Sequence, residues 1–258
     1  MIAVISDLHS NLAALEAVLA DIQARNIQRI FCLGDIVGYG PNPRECVDLI
    51  RPLEVALMGN HDEAIFQSRK TDDFNVRAEM ALEWTRDELA RGGPEDVVNQ
   101  RFEFLRNLKI TAEITIDETP VHFVHGSPRR PLREYVFPRD IRNPEKMRDI
   151  FTRFPRLCFV GHSHVPGIYT EDLTYTHPSE LELLKIYHFE EDRKTVINVG
   201  SVGQPRDNDP RACYVTLTDE ADAVVFRRVQ YDVEKTRQLI HKIPGLDDSL
   251  GDRLLEGR

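Results

Sequence analysis

The sequence predicts an α/β fold, and three observations lead to that prediction. In the first hundred residues, short apolar runs alternate three times with loops and helical repeats, a pattern that favours a parallel sheet. From residue 111 onward, short β-rich runs separated by turn signals favour a second sheet that is antiparallel or mixed. Clusters of aspartate, asparagine and histidine directly follow the apolar runs, which is where α/β folds build their sites.

The first β-loop-α unit combines a strand at 2–6 with a helix at 11–25. Apolar residues recur through that helix at the spacing of one helical face, and Ser10 or Asn11 is a plausible N-cap. Two further units repeat this order, with strands at 29–33 and 54–58 and helical sequence near 43–51 and after the loop at 59–63.

Helices are also predicted in the middle of the chain, at 72–108, with the Gly-Gly-Pro at 92–94 between them. The β-rich part that follows contains one further helix near 232–242 and ends in a polar tail. Its predicted strands are 111–117, 121–125, 157–160, 183–189, 195–199, 213–217 and 223–229.

Residues 127–156 interrupt these strands and contain a predicted helix at 145–154. This segment is therefore a candidate cap or lid. Because no internal repeat or low-complexity tract is evident, we treat 1–258 as a single domain.

The composition argues against several classes of partner. The 33 Lys and Arg residues against 43 Asp and Glu give a net charge of -10, so we expect no broad surface for long nucleic acid or an anionic membrane. No signal peptide and no apolar run of about 20 residues is evident, so we expect a cytoplasmic protein without a membrane span. The cysteines stand singly, which predicts reduced core residues: Cys32, Cys46, Cys158 and Cys213.

Two histidines, His162 and His164, stand one residue apart after the apolar run at 157–160. In an extended backbone, alternate residues face the same side, so we expect both imidazoles to face one point. Taken alone, a motif this short favours a polar turn, so its meaning depends on whether other residues face the same place.

Four other polar clusters follow predicted strands. The five clusters together offer carboxylate, amide and imidazole groups, which suit Mn, Fe, Co, Ni or Zn, and the lack of cysteine argues against a structural thiolate zinc site. Seven such ligands are too many for one ion but suit two ions roughly 3.5 to 4 Å apart that share a carboxylate. The clusters are Ser6-Asp7-Leu8-His9, Gly34-Asp35, Gly59-Asn60-His61-Asp62, His125-Gly126 and Gly161-His162-Ser163-His164.

In this order the five clusters resemble the signature set of the calcineurin-like metallophosphoesterases. The loop at 197–207, INVGSVGQPRD, further resembles INPGSVGQPRD of the family's small bacterial and archaeal phosphodiesterase branch, with Val199 where proline is common. The resemblance covers most of the chain. It implies a four-layer α/β/β/α sandwich of two mixed sheets flanked by helices, with the metals at the strand ends.

The resemblance also implies a role for each polar side chain. A hydroxide that bridges two divalent ions, such as manganese, would attack the phosphorus of a small phosphate-ester substrate. His61 would be the general acid for the leaving oxygen. The implied ligands are Asp7, His9 and His164 for the first metal, Asn60, His125 and His162 for the second, and Asp35 as the bridge.

Three residues are candidate substrate contacts: Tyr39, Arg129 and Ser201. Gly38 and Tyr39 occupy the places at which the family's serine/threonine protein phosphatases have a second aspartate and an arginine. Without that guanidinium, recognition of a dianionic monoester weakens, so we expect a relative preference for diesters. A solvated basic stretch explains Arg129 at least as well, and a structural turn explains the loop of Ser201 equally well.

The leading functional hypothesis is a phosphodiesterase that hydrolyses a small phosphodiester. The alternative enzyme is a phosphomonoesterase or a dinucleoside-polyphosphate hydrolase. A protein-binding scaffold is the alternative from another class, because a retromer subunit shares this fold, but the complete set of seven ligands and His61 favours an enzyme. The sequence does not decide whether the protein forms a homo-oligomer, since amphipathic helices can pack against a core or against another subunit.

Overall fold

Two six-stranded sheets form the centre of the protein, in a computed structural model that describes residues 1–67, 74–182 and 184–258. Positions 72, 73 and 183, which belong to predicted helical and strand runs, lie outside the described residues. The strands are β1 (Ile2–Ile5), β2 (Arg29–Cys32), β3 (Val55–Ala56), β4 (Thr111–Ile116), β5 (Thr119–Val124), β6 (Leu157–Val160), β7 (Gly167–Thr170), β8 (Thr174–Thr176), β9 (Ile186–His188), β10 (Thr195–Asn198), β11 (Ala212–Leu217) and β12 (Ala223–Val229).

Eight α-helices are described in the same residues. Asn11 caps α1, because its side chain accepts a hydrogen bond from the Ala14 amide, and this selects one of the two predicted N-caps. The helices are α1 (Leu12–Ala24), α2 (Pro43–Ile50), α3 (Asn60–Ala64), α4 (Val76–Arg91), α5 (Glu95–Arg106), α6 (Pro144–Thr152), α7 (Val233–His241) and α8 (Ser249–Asp252).

The first sheet has the order β3-β2-β1-β11-β12-β9. Its β1, β2 and β3 are parallel, as the three β-loop-α units predict. The prediction that the β-rich later part forms one separate sheet is wrong, because β9, β11 and β12 join this first sheet in antiparallel pairing. That pairing satisfies the backbone groups of β1, whose free side would otherwise be an unpaired edge.

The second sheet has the order β4-β5-β6-β10-β7-β8 and mixes both directions. β5, β6 and β10 run parallel, so their carboxyl ends lie at one edge of the sheet. β7 and β8 are not among the strands predicted from sequence.

Alternating side chains divide the molecule into four layers. In β1, Ile2 and Val4 pack into the core between the two sheets, whereas Ala3 and Ile5 pack against α1 and α2. On the outer face of the second sheet, Val196 of β10 packs in one cluster with residues of α6. The predicted α/β/β/α sandwich is therefore confirmed.

The end of the chain is more ordered than the predicted polar tail. Leu246, Leu250 and Leu254 recur every four residues and are buried with Ile240 of α7, so this segment forms α8 and a 3-10 turn at Arg253–Leu255. The four cysteines are free and buried, as predicted. Within the described ranges, no helix is long and apolar enough for a membrane crossing.

Candidate metal centre

Seven polar side chains of the predicted ligand set follow the carboxyl ends of parallel strands in both sheets. Asp7 and His9 follow β1 and Asp35 follows β2, while Asn60 begins the short helix after β3. In the second sheet, His125 follows β5, and both His162 and His164 follow β6. The structure places them in two adjoining groups that share one carboxylate.

The first group consists of Asp7, His9, Asp35 and His164, whose ligand atoms all lie within 4.8 Å of one another. Nε2 of His9 lies 3.1 Å from Nε2 of His164, and it lies 3.6 Å from Oδ2 of Asp35. Nε2 of His164 is also 3.2 Å from Oδ1 of Asp7. Two carboxylates and two imidazoles thus converge on a common space.

The second group consists of Asp35, His125 and His162, again within 4.8 Å. Nε2 of His125 lies 3.4 Å from Oδ2 of Asp35 and 3.1 Å from Nδ1 of His162. Asn60 belongs with this group, since its Oδ1 lies 3.2 Å from the same His125 nitrogen. Asp35 is therefore the residue common to both groups.

Both carboxylates are buried and ionised. Burial alone would raise the pKa of Asp7, but His164 outweighs that effect and the pKa falls well below its usual range. Burial would likewise raise the pKa of Asp35, and His125 and His61 instead lower it well below the usual range. Two negative charges that are held away from water favour a cation between them.

Backbone carbonyls fix the orientation of two histidines. Nδ1 of His164 is 2.6 Å from the carbonyl oxygen of Gln204, and Nδ1 of His125 is 3.1 Å from that of Leu33. Each ring donates its Nδ1 proton outward, which directs Nε2 into the cluster. This is the arrangement that metal-binding histidines commonly have.

Five of the seven side chains sit on strained backbone. The expectation of extended backbone at His162 and His164 is wrong, because both have a left-handed conformation. They lie in different groups, as their implied assignment to different metals requires. For a residue with a Cβ, this conformation costs on the order of 1–3 kcal/mol, and such strain concentrates at functional sites. The φ angles are 54° for Asp7, 47° for His9, 51° for Asp35, 63° for His162 and 59° for His164.

His61 lies beside the two groups and belongs to neither. Its amide donates to Oδ1 of Asp35 over 2.9 Å, and its ring centroid lies 4.8 Å from that of His9. Within residues 1–67, 74–182 and 184–258, its Nδ1 has no hydrogen-bond partner. Burial lowers the pKa of His61 to about 4, Asp35 opposes that shift and Arg206 adds to it. The imidazole is therefore neutral near pH 7 and carries one N–H.

The structure separates the three predicted substrate contacts. Tyr39 stands at the site, with its ring 4.8 Å from His9 and 4.5 Å from His61. Ser201 is fully buried, donates to the Asp7 carbonyl over 2.8 Å and accepts from the Gln204 amide, which identifies it as a support for the loop and not a surface for substrate. Arg129 pairs with Glu134 and Asp149, so its guanidinium is engaged within its own segment.

Asp62 is a supporting residue to which the sequence motif gave no role. Its buried carboxylate accepts hydrogen bonds from the amides of Ile36, Val37 and Gly59, over 3.0, 3.2 and 2.9 Å. These amides flank Asp35 and Asn60, so one side chain fixes two ligand loops. The sequence signal for this supporting role is the position of Asp62 in the cluster Gly59-Asn60-His61-Asp62.

Tyr135 and Asn198 also contact the site, and the sequence predicts no role for either residue, although Asn198 lies in the loop at 197–207. Tyr135, from the candidate cap segment at 127–156, stacks on His162 with ring centroids 3.8 Å apart and an interplanar angle of 12°. Asn198 donates to the Gly161 carbonyl and to the Ser163 hydroxyl, each over 2.9 Å, and thereby fixes the loop that carries both histidines. No local sequence pattern marks an aromatic ring or an amide that acts across such distances.

The donor set fits divalent cations. Each group combines carboxylate oxygen with imidazole nitrogen, Asn60 adds an amide oxygen to the second group, and neither group contains a cysteine. Borderline transition metals prefer this mixture of oxygen and nitrogen. The groups could hold two neighbouring ions with Asp35 between them.

Comparisons with known proteins agree with this arrangement. A family model described as calcineurin-like phosphoesterase superfamily domain matches residues 1–222. The uncharacterized protein MJ0912 of Methanocaldococcus jannaschii is 42% identical over 260 residues, which cover 100% of this chain and 98% of that protein.

Solved structures show the same likeness. A metallophosphoesterase from Sphaerobacter thermophilus superimposes with a TM-score of 0.81 at 38% identity, covering 100% of this chain and 98% of that one. The hypothetical protein PH1004 of Pyrococcus horikoshii OT3 has a TM-score of 0.76 at 22% identity, covering 100% and 99%. At 22% identity, the likeness to PH1004 shows a common fold and nothing about function.

Proposed function

The chain belongs to the calcineurin-like phosphoesterase superfamily, and from that premise we propose that it is a metal-dependent phosphodiesterase that acts on a small phosphodiester. One observation carries this proposal. Two buried groups of ligand atoms share the carboxylate of Asp35, and each lies within 4.8 Å internally. Paired metal sites that share a carboxylate suit in-line displacement at phosphorus.

In this proposal each group holds one ion. Asp7, His9 and His164 would hold the first, Asn60, His125 and His162 would hold the second, and Asp35 would serve both. Divalent ions there would supply Lewis acidity toward the phosphoryl oxygens and make a water nucleophilic at neutral pH. Mn, Fe, Co, Ni and Zn all accept these ligands.

The protein's own residues then orient the reaction. The carbonyl oxygens of Gln204 and Leu33 hold the His164 and His125 rings with Nε2 facing inward. We assign to His61 the donation of a proton to the leaving oxygen. The role rests on the position of His61 beside Asp35 and His9. Because burial lowers its pKa to about 4, the ring gains its proton only when the negative charge of the substrate phosphate lies against it.

The preference for a diester rests on positions 38 and 39. Tyr39, and not a guanidinium, occupies the wall of the site between His9 and His61. A diester carries one charge less on its phosphoryl group than a fully ionised monoester, so it depends less on a fixed cation. The guanidinium of Arg129 is paired elsewhere, and we assign it no part in substrate binding.

The test is hydrolysis of matched nitrophenyl phosphodiester and phosphomonoester substrates by metal-stripped protein that has been refilled with Mn. We expect cleavage that requires metal, with the higher kcat/KM for the diester. Faster cleavage of the monoester would contradict the assigned specificity. No turnover of either ester with any of the five metals would favour a scaffold function.

A further inference from the structure

A cavity of about 320 Å³ lies on the far side of Tyr39 from the candidate metal centre. Tyr39 forms a wall of both, because its ring contacts His9 and His61 and also lines the cavity. The other lining residues come from the start of α4 and from the end of the chain: Asn75, Arg77, Ser249, Leu250 and Arg253. Apart from Tyr39, which lies in the loop of Asp35, the cavity is built from segments that the seven ligand residues do not use.

The cavity is positively charged. Arg253 is partly buried, and among the described residues no carboxylate forms an ion pair with it. Its Nε donates to the backbone oxygen of Arg258, whereas Arg77 is paired with Asp247 at 3.5 Å. In the described residues only Nε of Arg253 is engaged, so its two terminal nitrogens can donate to a bound anion.

Arg206 connects this cavity to the metal centre. Its guanidinium donates to Oε1 of Gln204 over 2.6 Å, and no ion pair of Arg206 occurs in the described part of the chain. Its amide donates to the carbonyl oxygen of His164 over 3.2 Å, and burial, together with the charge of Arg206, lowers the pKa of Arg253 to about 10. Arg206 therefore lies on the backbone that carries His164, and its charge acts on Arg253.

We propose that the cavity beside Tyr39 binds a second phosphoryl group of the substrate through Arg253, Arg206 and Arg77, while the scissile phosphoester lies at the metal centre. This inference rests on the proposed phosphoesterase function. It narrows the substrate class to small phosphoesters that carry another phosphate, such as a nucleotide ester with a phosphate on its other hydroxyl.

Geometry favours a phosphoryl group over a carboxylate. One guanidinium satisfies a planar carboxylate by a two-point contact, whereas a tetrahedral phosphate accepts hydrogen bonds from several directions. Arg77 of α4 and Arg253 of the 3-10 turn at Arg253–Leu255 line the cavity, and Arg206 comes from the loop after β10. The net charge of -10 over the whole chain keeps long polyanions unfavourable.

Equilibrium binding to the full-length, Mn-loaded protein tests the inference without turnover. The probes are thymidine 5′-phosphate, thymidine 3′,5′-bisphosphate and the 3′-O-carboxymethyl analogue of the monophosphate, titrated by calorimetry. We expect the bisphosphate to bind about tenfold tighter than the monophosphate, as charge-assisted hydrogen bonds to arginine would give. The carboxymethyl analogue should gain clearly less.

Variants of Arg253 test whether the tighter binding of the bisphosphate depends on this guanidinium. In Arg253→Gln the ratio of the two dissociation constants should fall to near one, and Arg253→Lys, which keeps the charge, should retain part of it. Arg91→Gln is the matched control, because Arg91 is an exposed arginine paired with Asp87 on the same helix that carries Arg77. Equal binding of both nucleotides, or a gain that survives in Arg253→Gln, would overturn the proposal. An equal gain from the carboxymethyl analogue would overturn the choice of phosphate.

Hydrolysis separates this inference from the proposed function. The substrates are the 5′-(4-nitrophenyl) esters of thymidine 5′-phosphate with and without a 3′-phosphate. If both esters are cleaved and the 3′-phosphate changes neither KM nor affinity, the second site is refuted while the phosphoesterase stands. If neither is cleaved and the Arg253-dependent gain in binding persists, the anion site stands and the proposed function fails.

Discussion

Gly38 has no side chain, and the imidazole of His61 occupies the space that a side chain at this position would need. A Cβ built on Gly38 would lie 2.5 Å from Nδ1 of His61, and Gly38 has a φ of +93°, which side chains rarely adopt. The aspartate that pairs with the corresponding histidine in the family's protein phosphatases does not fit here. His61 is instead held by the rings of its neighbours, at 4.5 Å from Tyr39 and 4.9 Å from Phe74.

Gly38→Ala should therefore impair catalysis. The new methyl group displaces His61 from its position beside Asp35, and small misplacements of a reacting group cost about 10²-fold in rate. The measurement is kcat for the nitrophenyl diester, together with metal content. Metal content should stay at the wild-type value, because the three atoms nearest to the new methyl group all belong to His61, which is not an implied ligand.

Gly93→Ala is the control for backbone strain. Gly93 has a φ of +132°, so alanine is strained there too, but the nearest atoms to its Cβ lie 4.0 Å away. We expect near wild-type turnover for this variant. Equal losses in both variants would show that strain, and not the displacement of His61, causes the effect.

Asp62→Asn should weaken both the fold and the metal site. Asparagine cannot accept the three backbone hydrogen bonds that the carboxylate accepts, and unsatisfied buried donors cost about 1–3 kcal/mol. Urea unfolding of the metal-free protein measures that loss, and metal affinity should fall by about 10–100-fold. Asp87→Asn, at an exposed ion pair, should change stability by less than about 0.5 kcal/mol; an equally small change in Asp62→Asn would refute the supporting role.

Tyr39→Arg should shift the enzyme toward monoesters. A guanidinium between His9 and His61 would pair with the extra charge of a monoester, and such a contact is worth about tenfold. The quantity to measure is the ratio of kcat/KM for the nitrophenyl monoester to that for the diester. Tyr39→Phe keeps the ring and should leave this ratio unchanged. If Tyr39→Arg leaves this ratio unchanged, position 39 does not determine the preference between diester and monoester.

Much of the fold follows from sequence, because alternating apolar residues specify which face of each strand is buried. The three parallel units at the start of the chain are examples. Strand partners are less local: β11 pairs with β1 across more than two hundred residues, and nothing within either run specifies that choice. The leucines at the chain end were overlooked because their four-residue spacing lies within polar sequence.

The candidate site was accessible from sequence for a different reason. Its side chains are reactive types that follow strands in a fixed order, and the structure brings all seven together. The sequence did not predict the backbone conformation of His162 and His164. Their position after a strand suggests extended residues, whereas tertiary contacts hold them in the left-handed form. The contacts of Tyr135 and Arg206 depend on tertiary structure in the same way.

The most direct test of the two-metal account is the number of Mn ions bound per chain, measured by elemental analysis in the wild type and in Asp35→Asn. Asp35 contributes to both groups, so the account predicts two ions in the wild type and the loss of at least one in the variant. Diester cleavage should fall with it by at least about 10²-fold. A wild type that binds a single ion, or an Asp35→Asn variant that keeps two ions and full turnover, would contradict the account.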